Sequence, residues 1–469
     1  MNILSQNYNN LLKNLIFNIF TDNLKNKLDT FSNDNVFNYI DLLSSLDESL
    51  CSIARESLVN IFESLDKSFS NSIDRKRKYD IKSHHPRTIL TIFGEITFTR
   101  TFYQSKLDNK LYCFVDRHLG LHKYDYFDPY LKALVVDYSA NNSMPKTAIY
   151  INNLIGNRIS INDKIKYLSR QSIRNIILFA KLSQVSNDFK NETPKSIHII
   201  ADEKWIHTQN NNDNDVMEKS IVLFETIKNK KLYNKQIFAS LDQSFIDDCL
   251  DYIYDTYDID KIKHIFVMGD GASWIKNLRH QFNFNSNIHV VSGLDKFHFK
   301  QAIHHICLNK DLENIVISYI LNNKKKFFIE VCNLLINSYP HRSETIESRK
   351  QYILNNWTNI NNFYKYNLSC PMESQISHNL ADLFTSRPKA YSIKMINKLT
   401  QIRLLFKNNH NIKQLYLNNF NSNNILTLHK KELNFNIFEN KHSNFNPLKL
   451  ITEPFYTVPY DNSYHLFRK

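Results

Sequence analysis

The sequence predicts an α/β core, preceded by a mainly helical N-terminal region that carries a small β element and a helix-turn-helix candidate. Two buried-strand patterns each run into an aspartate, SIHIIA into Asp202 and HIFVMG into Asp270. Strand and helix patterns alternate between residues 195 and 310, whereas upstream Leu, Ile and Phe recur at three- and four-residue intervals. A strand ending in Asp sets its carboxylate at the C-terminal edge of a sheet, where open α/β sheets hold their ligands.

The elements follow in order. Residues 1–70 read as a helical segment, with repeats such as LLKNLIFNIF and LVNIFESL. Residues 71–125 read as a basic β element: the cluster Arg75, Lys76, Arg77 and Lys78 leads into RTILTIFGEITFTRTFYQ, a hairpin turning around Phe93-Gly94-Glu95. Residues 126–190 return to helical spacing, and a Ser opens the third helix, as a helix-turn-helix allows. On that helix Arg170, Gln171 and Arg174 face outward, either toward DNA phosphates and base edges or simply as the wet face of an ordinary bundle.

The α/β core is expected over residues 191–310 and 366–410. KSIHIIADEKW is a strand that Asp202 ends, KSIVLFETIKN and KLYNKQIFASL form a hairpin, and SFIDDCLDYIYDTY is a helix. KHIFVMGDGASW and NIHVVSG are further strands, and DKFHFKQAIHHICL is a helix. One strand, a strand hairpin, then alternating strand and helix matches the start of a ribonuclease-H-like sheet. Residues 311–365 have helical spacing without strand signals and form a helical insertion; residues 411–469 form an irregular tail with Pro447, Pro454 and Pro459.

Charge narrows the partner. The chain of 469 residues carries a formal net charge of +13, which favours a polyanion. Residues 71–190 hold 20 basic and 10 acidic side chains, against 5 and 9 in residues 1–70 and 34 and 27 in the remainder. The six Cys form no CxxC pair, so neither a zinc ribbon nor a disulfide framework is supported, and a reducing cytoplasm fits. No run of 18 apolar residues occurs, so no membrane span is expected.

Chemistry concentrates in the core. Three of the six glycines lie at 269, 271 and 293, and glycines beside Asp270 permit a sharp strand-to-helix turn. A phosphate-binding loop is excluded, because GxGxxG and GxxxxGK[ST] are both missing. Asp295 and His298 sit three apart at the start of a helix. They read either as a site pair or as an N-cap beside a packed histidine. Glu373 shares a helical face with Ser377, and alone it equally suits a first-turn residue facing the helix dipole. Two Asp and one Glu without Cys are oxygen ligands of the kind Mg²⁺ prefers.

The ordered set HIIADEKWIH, FVMGDGASWIK, LDKFHFKQA, YILNNW and CPMESQISH with TSRP behind it resembles the ISLre group of bacterial insertion-sequence transposases, related to the Mutator-like DDE superfamily. TIFGEITFTRTFY, LGLHKYDYFDP and SRQSIRN extend the resemblance over residues 5–408. It departs at Ser374 and at Ala390-Tyr391, where that family carries Gly and Gly-Trp. The resemblance implies a ribonuclease-H-like catalytic core in which Asp202, Asp270 and Glu373 hold two Mg²⁺ (or Mn²⁺) ions and Asp295 and His298 belong to the catalytic neighbourhood. It further implies a transposase that cleaves DNA by metal-dependent hydrolysis and transfers the 3′-hydroxyl strand to target DNA. Its partners are double-stranded DNA (element ends and target) and further copies of itself, as a homo-oligomer on DNA, in the bacterial cytoplasm or on the nucleoid. A catalytically inactive or domesticated DNA-binding protein and a nuclease without strand transfer are the alternatives.

Overall fold

The computed structural model describes residues 39–156, 168–209, 215–229, 231–371, 384 and 391–420. The chain divides into two compact units. One comprises Met1–Ser139, Ser143–Ser183 and Ile412–Lys469; the other comprises Ala140–Asn142 and Gln184–Asn411. The described residues mix helix and sheet, and none of their sheets closes into a barrel. None of their helices is long and apolar enough to cross a membrane.

The described residues of the first unit begin with a 33-residue helix, α1 (Tyr39–Asn71), and a short α2 (Ile73–Lys78). The basic cluster, read as part of the β element, therefore lies on this short helix. Strands β1 (Tyr79–Thr91) and β2 (Gly94–Ser105) form the expected hairpin, closed by Ile92 and Phe93 between the paired Thr91 and Gly94, with β3 (Leu111–Cys113) on the far end of β2. Helix α1 runs along the hairpin: Arg55 donates to the Phe93 carbonyl at 2.7 Å, and Glu63 accepts the Thr99 backbone N–H at 2.8 Å. The second contact satisfies an N–H that no neighbouring strand takes, which keeps the sheet edge from recruiting another chain. Phe69 of α1 stacks on Phe114 with ring centroids 4.2 Å apart and meets Tyr103 edge-on. Each ring so buried stabilises the unit by about 1.5–3 kcal/mol. Asp116 takes ion pairs from Arg87 and Arg100, both nearly buried.

Beyond α3 (Phe114–His118), an element absent from the sequence reading, come α4 (Pro129–Ser139), α5 (Met144–Ile155) and α6 (Arg170–Phe179). Pro145 lies in the first turn of α5, where its missing N–H is no loss. Ser169 caps α6 by accepting the Ser172 N–H at 3.1 Å. Residues 412–420 are helical, although the sequence suggests an irregular tail from 411. Leu, Tyr and Ile at helical spacing continue there past residue 411.

The second unit is built on a five-stranded sheet: β4 (Ser196–Ile206), β5 (Val216–Phe224), β8 (Gln236–Ser240), β9 (His264–Gly269) and β10 (His289–Leu294). A small ribbon of β6 (Thr226–Lys228) and β7 (Lys231–Tyr233) extends the hairpin. The strand order is β10-β9-β4-β5-β8, with β10, β9 and β4 parallel and β5 antiparallel to both its neighbours. Alternation along β4 sends Ile197, Ile199 and Ala201 to one face. There they pack under α7 (Ser244–Thr256) and α8 (Ser273–Gln281). Ile200 belongs to the opposite face, with Val222, Phe266 and Met268.

After α9 (Lys296–Ile306) come the four helices of the insertion: α10 (Lys310–Leu321), α11 (Lys325–Ser338), α12 (Ser343–Asn355) and α13 (Trp357–Lys365). They enclose their own core around Phe328, Cys332, Ile346 and Ile353. Phe363 of α13 and Leu404 of α14 (Ile393–Lys407) join the second face of the sheet. Both sheet edges are covered by asparagine amides. Asn408 donates to and accepts from the backbone of Ile237 on β8 at 3.0 and 2.9 Å, and Asn362 donates to the Ser292 carbonyl on β10 at 3.1 Å.

Candidate active site

Three parallel strands deliver three aspartates to one edge. Ile200 of β4 is level with Met268 of β9, so two residues further along Asp202 and Asp270 stand side by side. Leu294 of β10 pairs with Gly269, and the Asp295 N–H donates to the Gly269 carbonyl at 2.8 Å. Asp295 thus follows its strand just as Asp270 does. β4 itself does not stop at Asp202, contrary to the sequence reading. It continues to Ile206 because Glu203 to Ile206 keep pairing with β5 as far as Val216.

The local backbone aims each carboxylate. Asp270 Oδ1 accepts the Ala272 N–H at 2.9 Å and Asp202 Oδ1 accepts the Glu203 N–H at 2.8 Å. Gly271 turns the chain with φ of +90°, a conformation open to Gly and strained for other residues. Gly269 has no room for a side chain, since a Cβ there would lie 2.9 Å from the Ala201 carbonyl oxygen. Asp295 is buried and accepts from His298 Nδ1 at 3.0 Å.

The charges feel one another. Burial pushes the Asp202 carboxyl up, and the neighbouring Asp270 charge pushes the same way against the pull of the Glu203 N–H and of His298. His298 is held above the ordinary imidazole range by its hydrogen bond to Asp295, and the charges of Asp295, Asp270 and Asp202 add to this against partial burial. Asp202, Asp270, Asp295 and His298 therefore form one cluster, as the sequence suggests. Glu373 lies outside the described residues.

Does this cluster suit a divalent cation? Two facing carboxylates, one raised by the charge of the other, are oxygen donors whose repulsion a cation relieves. Among the described residues, no group of three or more His, Cys, Asp and Glu side chains is arranged to hold a metal ion. The described residues thus bring two carboxylates together, Asp202 and Asp270, and no larger ligand group.

Residues that the sequence reading did not single out line the same edge. Trp274 donates from Nε1 to Glu203 Oε2 at 2.5 Å, with the Lys219 ammonium 5.3 Å from its ring centroid. Tyr352 donates to the Asp270 carbonyl oxygen at 2.5 Å. The signal for the first is the spacing of Trp274 one turn after Asp270; Tyr352 opens the YILNNW motif, but nothing in that motif ties it to Asp270, 82 residues away. Of the nucleic-acid candidates, Lys76, Arg77, Lys78, Arg170 and Gln171 are exposed, whereas Arg75 and Arg174 are half-buried. The Arg75 Nε donates to the Ser70 carbonyl at 2.7 Å.

Fold and site define a mixed helix–sheet protein with a carboxylate-lined sheet edge. The chain belongs to the family described as "Uncharacterised protein family (UPF0236)", which it matches over residues 32–413. Among its relatives are UPF0236 protein TTE2489 and UPF0236 protein TTE0402 of Caldanaerobacter subterraneus subsp. tengcongensis. Each is 24% identical over 392 residues that span 80% of this chain and 80% and 75% of the relative, respectively. A further relative from that strain, also 24% identical over 80% of this chain and 79% of its own length, has a name that joins eleven locus designations.

Proposed function

We propose that the protein is a DNA transposase of DDE type, in which Asp202 and Asp270 hold divalent cations and Glu373 completes their ligation. The observation that carries this reading is the convergence, on three adjacent parallel strands, of Asp202 within β4 with Asp270 and Asp295 just past the ends of β9 and β10. The strand order β10-β9-β4-β5-β8, with β5 reversed, supports a ribonuclease-H-like core. A relative whose name joins eleven designations in one organism supports an element that copies or moves itself.

In this reading Asp202 and Asp270 would hold divalent cations at the sheet edge, and the scissile phosphate would sit against them. Bound cations there would lower the pKa of the attacking oxygen and neutralise charge on the phosphate. In the first step a water gives up one proton to solvent as its oxygen bonds to phosphorus, the P–O3′ bond breaks, and the 3′-oxygen leaves as a hydroxyl after taking one proton from solvent. In the second that 3′-hydroxyl attacks a target phosphodiester, loses its proton, and displaces a target 3′-oxygen, which takes one up. His298, whose imidazole Asp295 biases toward its charged form, donates to a phosphate oxygen. The exposed basic side chains of α2 and α6 hold the DNA backbone, and a homo-oligomer brings two ends together.

The test incubates the intact chain with Mg²⁺ and labelled duplexes carrying the DNA that flanks its gene. Joined products are expected. Cleavage alone reduces the protein to a nuclease, and binding alone to a DNA-binding protein. Asp202→Ala and Asp270→Ala should each lower cleavage by roughly a thousandfold, as loss of several kcal/mol of charge stabilisation requires. End binding should persist in both.

A further inference from the structure

We infer that Tyr352 and Asn356, on the last turn of insertion helix α12 and just beyond it, are positioning residues for Asp270. This rests on the reading of Asp270 as a cation ligand.

The two side chains clamp the turn that presents Asp270. The Tyr352 hydroxyl donates to the Asp270 carbonyl at 2.5 Å, while the Asp270 carboxylate accepts the Ala272 N–H at 2.9 Å. The residue is thereby held at its main chain and at its side chain, on either side of the two side-chain torsions that aim the carboxylate. Asn356 fills the space beside Gly271: its Oδ1 and Nδ2 lie 2.8 and 3.0 Å from where a Cβ would stand. It is 2% exposed, and its Nδ2 donates to the Tyr352 carbonyl at 2.9 Å, so the four-residue spacing locks the two braces together. The Asn356 Oδ1 is buried without a hydrogen-bond partner among the described residues. Leaving an amide oxygen so is costly, which fits a group placed for shape against the turn.

Tyr352 also stands close to the charges it serves. Burial raises its hydroxyl above the ordinary tyrosine range, and the charges of Asp270 and Asp295 raise it further, against Arg349. The helical insertion, far from the sheet in sequence, thus reaches back to fix one of its carboxylates.

The test is Mn²⁺ binding to the intact chain, read by the electron-paramagnetic-resonance signal of free Mn²⁺, with melting temperature measured in parallel. Tyr352→Phe keeps the ring and removes only the donor. It should weaken Mn²⁺ binding by roughly tenfold, the ordinary loss when a group that orients a ligand is removed. Melting should shift by no more than about 4 °C. Asn356→Ala should weaken binding in the same direction. Unchanged Mn²⁺ affinity in Tyr352→Phe, whatever its melting point, overturns the positioning role while the wild type and Asp270→Ala still differ. A wild type that binds no Mn²⁺ overturns the carboxylate reading instead, and this role with it.

Discussion

At the scale of single residues, Glu218 departs furthest from what its neighbours in sequence suggest. It lies in the first turn of alternation along β5, in Val-Met-Glu-Lys-Ser, where a glutamate reads as a solvent-facing residue, and the hairpin strand predicted from the sequence starts only after it. In the fold it is 2% exposed and accepts from the Thr400 hydroxyl at 2.5 Å. Its burial depends on a helix 182 residues away, which no local pattern encodes. Burial pushes the carboxyl from its ordinary 4.5 up to about 7, although the Thr400 hydrogen bond pulls it down. The folded state thus holds this proton more tightly than the unfolded chain. The stabilisation is complete below pH 4.5, declines as pH rises from there, and is lost as pH passes about 7. The difference amounts to roughly 3 kcal/mol. Glu218→Gln stays neutral at every pH and should remove this term. Urea midpoints taken from pH 5 to 8 should fall more steeply for the wild type than for the variant, since all other titrating groups are shared. Parallel curves would show that Glu218 ionises as readily folded as unfolded. By contrast the glycines around Asp270 were legible at once, because a turn that tight at a strand end has few other solutions.

At the scale of elements, the sheet is legible from alternation and its limits are not. The runs SIHIIA, HIFVMG and IHVVSG each appear as a strand. The end of β4 escaped because apolar alternation ceases at Asp202, while pairing with β5 carries Lys204 and Trp205 onward opposite Glu218 and Met217. Pairing is a property of two segments, and only one of them is in view when a single run is read. The edges follow the same logic. Ile237 on β8 has its backbone N–H and C=O satisfied by the side-chain amide of Asn408, which stands in for a missing strand from 171 residues away. Asn408→Ala removes both bonds and leaves two backbone groups of a buried residue to find other partners. Each such group costs about 1–3 kcal/mol when left unmade. The variant should melt several degrees lower, and its exposed edge should promote association on heating, visible as light scattering before the melting midpoint. A variant with wild-type melting and no scattering would show that water replaces the amide at no cost.

At the scale of the whole molecule, charge is unevenly distributed along the chain, and this bears on how it would meet DNA. Residues 71–190 carry an excess of ten basic side chains, 20 against 10, while residues 1–70 are acidic, 5 against 9. That asymmetry is a sequence property; which of these side chains can reach a phosphate is a structural one. Arg75 is half-buried and its Nε is already engaged by the Ser70 carbonyl, so its side chain serves the turn before α2. Lys76, Arg77 and Lys78 are exposed in succession on α2, beside the hairpin. In counterion-release terms each phosphate neutralised adds about 0.9 to the slope of log K against log salt. Three exposed cations, and not four, set the expectation. Replacing Arg75, Lys76, Arg77 and Lys78 together by Gln should weaken duplex binding and lower that slope by roughly two to three. Restoring Arg75 alone should recover little of it. Asp202→Ala, which alters the sheet edge and no basic group, should leave the slope within error of the wild type. A slope unchanged in the fourfold variant would place the phosphate contacts on other basic side chains, with Arg170 and its neighbours on α6 the next to neutralise. A slope that recovers with Arg75 alone would mean that its guanidinium leaves Ser70 when DNA binds.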